Sequence, residues 1–206
     1  AMRALLEKAQ SSLHDVSTKT STYKSVTNER EIAFTGIEKL ATRVVLALEA
    51  SGVSLQNVAD VRYFSRLIAG RRATSREPIL SGDANEQTLK SRIHPPRGYV
   101  TVAANFSKLV DRVAMLPKYK ASHAELELPA LQAKAALLQA TTEAVNKARI
   151  ALSNAMLKRD RVMYREANSL VDNARLVKRF IRSMYGTRSG PSAQLVGFRF
   201  TKPKVR

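Results

Sequence analysis

Apolar residues recur with a seven-residue period along the first fifty positions. Met2, Ala9, Val16, Tyr23, Arg30, Ile37 and Val44 form one series. Leu6, Leu13, Thr20, Thr27, Phe34, Ala41 and Leu48 form a second, at the intervening 4-then-3 spacing. Such a stripe marks one face of an α-helix. Its phase survives the Ser- and Thr-rich residues 17–28 and no proline interrupts it, so the pattern predicts one helix over about residues 2–50, stopped at Gly52. At 1.5 Å per residue that helix is about 70 Å long. Thr20, Thr27 and Arg30 thin the apolar edge in the middle, where packing is expected to be weakest.

A second run fills the last third. Pro129 suits a first helical position, where its missing N–H has no partner to lose. Ala135, Thr142, Arg149, Met156, Met163, Leu170, Val177 and Met184 form one series. Leu131, Leu138, Val145 and Leu152 form the other, which resumes one residue later as Ala167, Ala174 and Ile181. The slip is equivalent to a four-residue stutter near Met163. Gly186 is the expected stop.

The two runs resemble each other. Asn-Glu-Arg-Glu-Ile-Ala-Phe at 28–34 aligns with Lys-Arg-Asp-Arg-Val-Met-Tyr at 158–164, and Leu40 then meets Leu170. After a four-residue adjustment Gly52 meets Gly186, Val61 meets Leu195 and Phe64 meets Phe198. The pattern predicts an internal duplication of a long helix and a short tail element. A pseudo-twofold between the halves would pack the long helices antiparallel. Glu29 and Glu31 would then face Lys158, Arg159 and Arg161, a pairing suited to fixing register.

Shorter elements lie between. Ser54 can cap a helix from Leu55 to about Ala69 with Leu55, Val58, Val61, Phe64 and Ile68 inward. A further helix over about residues 100–116 presents Val102, Phe106, Leu109, Val113 and Leu116, and Pro117 stops it. Ser122 to Glu125 reads as a capping box. Residues 71–98, with Pro78, Gly82, Pro95, Pro96 and Gly98, read as a long loop, and residues 187–206 as a basic tail with Phe198, Phe200 and Val205 extended. The expected fold is all-α. It is a single, elongated, antiparallel helical-bundle domain over residues 1–206, with two long helices and shorter helices packed against them.

Charge changes this picture more than composition does. The chain has 206 residues, 44% of them hydrophobic, enough for a core. Its 35 Lys and Arg against 17 Asp and Glu leave a net charge of +18. Residues 158–206 hold 13 of those cations and three of the anions. Lys158, Arg161, Arg165, Arg175, Arg179 and Arg182 follow 3-and-4 spacing and would run along about 36 Å of one helix. Such a stripe is the footprint of a polyanion binder that grips phosphates, reads little base sequence and weakens in salt. The plainer reading is a solvated face that keeps the protein soluble. A basic amphipathic helix also suits an anionic membrane, but here the apolar side is expected to be occupied by the seam.

Chemistry is sparse. The absence of cysteine excludes disulfides, thiolate metal sites and thiol nucleophiles. His14, His94 and His123 are widely separated, and no metal or other cofactor is expected. No Gly-rich phosphate loop and no acid–base or nucleophilic constellation is present, so the protein is expected not to be an enzyme. Tyr164, Phe180 and Tyr185 have the chemistry to stack on bases, although aromatics at helical spacing usually enter the core. No apolar run has the length of a membrane span, and no signal-peptide pattern is present, so a cytoplasmic location is expected.

Several stretches carry a resemblance. They are Leu-Ala-Leu-Glu-Ala-Ser-Gly-Val at 46–53 and Ile-Ala-Gly-Arg-Arg-Ala at 68–73, then Leu-Pro-Lys-Tyr at 116–119 followed by Glu125 and Leu126. Ala-Arg-Leu-Val-Lys at 174–178, Tyr185, Gly186 and Gln-Leu-Val-Gly-Phe-Arg-Phe at 194–200 complete the set. On these the chain resembles a family of uncharacterised bacterial proteins seen mostly in Bacteroidetes. It departs from the family's Ser-Pro-x-Tyr-Lys pattern at Ser189, Gly190, Pro191, Ser192 and Ala193. The resemblance implies a helical protein and no particular activity. The functional expectation is non-enzymatic binding of a polyanion, nucleic acid foremost, through the six cations. The competing expectation is a helical scaffold that binds a protein partner or self-associates.

Overall fold

The computed structural model describes residues 2–71, 97–121 and 123–202. Among them there are helices and no strands. The helices are α1 (Met2–Phe34), α2 (Ile37–Ala50), α3 (Leu55–Ile68), α4 (Tyr99–Ala114), α5 (Leu128–Asp160), α6 (Leu170–Tyr185) and α7 (Gly190–Gln194). A 3₁₀ turn, Ala124–Leu126, precedes α5, and a π-turn, Arg161–Arg165, follows it. The expected loop falls outside the described residues except at 71, 97 and 98, as do Ser122 of the capping box and Lys204, Val205 and Arg206 of the tail.

Neither long run is one helix. The first breaks at Thr35 and Gly36. The Thr35 N–H bonds back to the Ile32 carbonyl at 3.1 Å, and Gly36 takes a left-handed φ of 78° before α2 begins. Glycine adopts that conformation freely, and it costs a helix interior about 1 kcal/mol relative to alanine, so the sequence favours the corner. Phe34 and Ile37, on either side of it, are both buried. The second run breaks after the π-turn, where the Glu166 N–H reaches the Arg161 carbonyl at 3.0 Å. A five-residue hydrogen-bond step absorbs one extra residue, which is the phase slip visible near Met163. Ser169, fully buried, then caps α6 by accepting from the Asp172 N–H at 3.3 Å.

The inward stripes also depart in part from the expected series. On α5, Leu131, Ala135, Leu138, Thr142 and Val145 are buried as expected. Beyond them Arg149 and Met156 are exposed, and Ala155 and Val162 are buried in their place. On α1 the small residues Ala9 and Ser12 are buried, and Leu6 and Leu13 are exposed.

The chain forms two compact units, one continuous and one built from two separated segments. One is Asn28–Ala144. In it α3 packs against both α2 and α4. Val44 and Leu48 of α2, Val61 and Ile68 of α3, Phe106 and Leu109 of α4, and Leu131 and Leu138 of α5 are almost fully buried in one core. Leu55, expected inward, is 89% exposed at the first turn of α3. Ser51 bonds the Lys120 N–H, and Arg43 bonds Glu125 at 2.7 Å. These bonds step backward along one segment as the other advances, so α2 and the chain entering α5 run antiparallel.

The other unit is Ala1–Thr27 with Val145–Arg206. It buries far fewer apolar side chains: Ala9, Val145, Ala155, Val162 and Val171, with Ser12, Ser169 and Ser192. Lys8 of α1 meets Glu166 at 3.4 Å, beside the junction into α6. Arg159 forks onto Asp160, its neighbour on α5, at 2.7 and 2.9 Å.

Candidate functional site

The Ala1–Thr27 and Val145–Arg206 unit holds 19 Lys and Arg against five Asp and Glu, a net of +14. The Asn28–Ala144 unit holds 16 against 12, a net of +4. The positive charge of the protein therefore resides mainly in the unit with the smaller core.

All six expected cations lie in that unit, but the break divides them. Lys158 lies in the last turn of α5, Arg161 and Arg165 bracket the π-turn, and Arg175, Arg179 and Arg182 sit on α6. The unbroken 36 Å stripe is thus replaced by two groups of three. Arg175, Arg179 and Arg182 share one face of α6 at 4-then-3 spacing. Lys158, Arg161, Arg165, Arg179 and Arg182 are exposed, and no carboxylate among the described residues pairs with them.

Arg175 differs. It is half-buried, its Nε donates to the Phe200 carbonyl at 2.9 Å, and its Nη1 lies 3.9 Å from Asp172 Oδ1. Lys178 donates to the Phe198 carbonyl at 2.8 Å, and Lys202 to Asp172 Oδ2 at 2.6 Å. The basic tail, through residue 202, is therefore strapped along α6 by its own carbonyls. Lys202 is committed to that strap. Asp172 also accepts from the Ser169 hydroxyl at 2.7 Å. The hydrogen bond from Lys202, then that from Ser169, holds the Asp172 carboxyl below the ordinary carboxylate range.

Sequence reasoning missed the outward apolar side of α6. Phe180 and Tyr185, candidates for stacking or core, are 63% and 60% exposed, and Leu176, Val177 and Met184 are exposed with them. Tyr164 is half-buried. The signal that would have found the separate α6 is Ser169 with Asp172 three residues on, a capping pair ahead of an apolar run.

The Asn28–Ala144 unit offers a shallow pocket of about 450 Å³ lined by Glu31, Phe34, Glu38, Arg97 and Tyr99 among others. Arg30 lies 3.9 Å from the Tyr99 ring centroid, and Phe34 meets that ring edge-on. Arg97 pairs with Glu38 across it at 2.6 Å. Among the described residues no cluster of His, Asp and Glu could hold a metal ion, and no helix is long and apolar enough to cross a membrane. Comparison with known proteins finds no matching family model, curated protein or solved structure.

Proposed function

We propose that this chain is a non-enzymatic polyanion-binding protein whose partner is nucleic acid. The reading rests on the partition of charge, +14 in one unit against +4 in the other. Five exposed cations that pair with no carboxylate among the described residues carry it: Lys158, Arg161, Arg165, Arg179 and Arg182. Flexible cations of this kind contact phosphate oxygens, which position a nucleic acid without reading its bases. Each phosphate neutralised releases counterions, so affinity falls steeply with salt. The test is a gel shift on mixed-sequence DNA and RNA across a salt series. A shift that weakens with salt and disappears when Arg179 and Arg182 become Glu supports the reading; no shift at low ionic strength removes it.

The alternative is a helical scaffold, favoured by the exposed Leu6, Leu13, Ile150 and Leu157 on helices of the same unit. Light scattering that shows self-association would favour it.

The proposal includes an internal duplication. Its support is the pair of 33-residue helices, α1 and α5. Each is followed by a break and a helix of 14 or 16 residues, after which comes a glycine of positive φ, Gly52 or Gly186.

A further inference from the structure

We infer that the outward face of α6 docks on an anionic lipid bilayer. Leu176, Phe180 and Met184 stand four residues apart and Val177 lies beside them, so the four form one ridge along the helix. They are 55%, 63%, 62% and 44% exposed. The opposite side, with Val171, Ala174, Lys178 and Ile181, is buried or half-buried, and the tail is bonded along it. An apolar ridge held outward in this way exposes side chains that water disfavours.

Charge identifies the occupant. Arg179 follows Leu176 by three residues and so borders the ridge, whereas Arg182 lies a further turn on, toward the side of Val171 and Lys178. From residue 173 to the end there are nine Lys and Arg and no Asp or Glu. A second copy would bring two such segments face to face, against their mutual repulsion. A neutral apolar partner would leave Arg179 at the margin and the excess of cations in this segment unmatched. An anionic bilayer satisfies both: the ridge enters the headgroup–acyl boundary while Arg179 reaches lipid phosphates and the surrounding cations are drawn to the anionic surface. The helix lies on the bilayer and does not cross it. This inference stands on the apolar ridge and is independent of nucleic-acid binding.

The test uses the full chain with vesicles of phosphatidylcholine alone or mixed with phosphatidylserine. Co-sedimentation is expected with the mixed vesicles and not with the neutral ones. The chain has no tryptophan, so Phe180→Trp supplies a single reporter whose emission should shift to the blue on the mixed vesicles. A Leu176→Ser, Phe180→Ser, Met184→Ser variant should keep its helix content and any gel shift, yet lose about tenfold or more in vesicle affinity. Three results would overturn the inference: no sedimentation with the mixed vesicles at low salt, undiminished binding by the ridge variant, or a stable dimer that the ridge variant dissociates. Vesicle binding without any gel shift would leave this inference standing and remove the nucleic-acid reading alone.

Discussion

The Arg175 guanidinium is held between the Phe200 carbonyl, 2.9 Å from its Nε, and Asp172, whereas Arg179, one turn along the same helix, meets no carboxylate among the described residues. Neighbouring cations on one face of α6 thus have different duties. Arg179→Ala and Arg182→Ala should each lower the slope of log affinity against log salt by about 0.9, the value of one phosphate contact. Arg175→Ala should leave that slope nearly unchanged and instead free the tail, read as faster amide exchange at residues 198–202.

Acid should release the tail late. The hydrogen bonds from Lys202 and Ser169 lower the Asp172 pKa in the folded chain. A carboxyl lowered on folding contributes stability above its unfolded pKa and loses it as pH falls through the folded one. Tail contacts should therefore persist through the ordinary carboxylate range and fail only below it, as followed by the side-chain resonance of Asp172. Lys202→Ala should move that midpoint up. Glu125, lowered by its hydrogen bond and charge pairing with Arg43, should behave alike.

The corner at Gly36 is a matter of backbone rather than space. A Cβ there would meet nothing within 4 Å, but φ is +78°. Gly36→Ala should cost about 1 kcal/mol in denaturant unfolding, with the helical signal intact. A stabilised protein would mean that α1 and α2 join into one helix at no expense.

Burial separates two phenylalanines. Phe106 is fully buried on α4, and Phe106→Ala should cost about 3–5 kcal/mol. Phe180→Ala, on the open side of α6, should change stability by no more than about 0.5 kcal/mol. Thermal and denaturant melts of the two variants compare them directly.

The start of α6 rests on one hydroxyl. Ser169 accepts from the Asp172 N–H and donates to the Asp172 carboxylate. Ser169→Ala should cost about 1 kcal/mol and fray the first turn, and Ser169→Thr should restore much of the cap through its own hydroxyl. Amide exchange at residues 171–173 reads both.

Much of this architecture was legible because periodicity reports burial. The faces of α3 and α4 were readable from spacing, apart from Leu55, as were the stops at Gly52, Pro117 and Gly186. The breaks were not, for a physical reason. A corner at Thr35 and Gly36 leaves Phe34 and Ile37 both buried, so the apolar pattern runs through it undisturbed. At the second break the slip near Met163 was visible, but a slip alone does not tell a stutter from an end. The capping pair at Ser169 and Asp172 does. The six cations were legible as a cluster; the diversion of Arg175 was not, because its partner is a backbone carbonyl twenty-five residues away. The exposure of Phe180 was missed because heptad reasoning assumes that every apolar stripe has already found its cover.

Asp172 is the last acidic residue of the chain, with thirty-four positions after it. One oxygen of its side chain receives both the hydroxyl that opens α6 and the ammonium that closes the strap. A single isosteric exchange to asparagine would therefore loosen the two ends of this hairpin together and leave nine like charges with no internal counterweight. Few positions in the protein concentrate so much consequence in so small a chemical change.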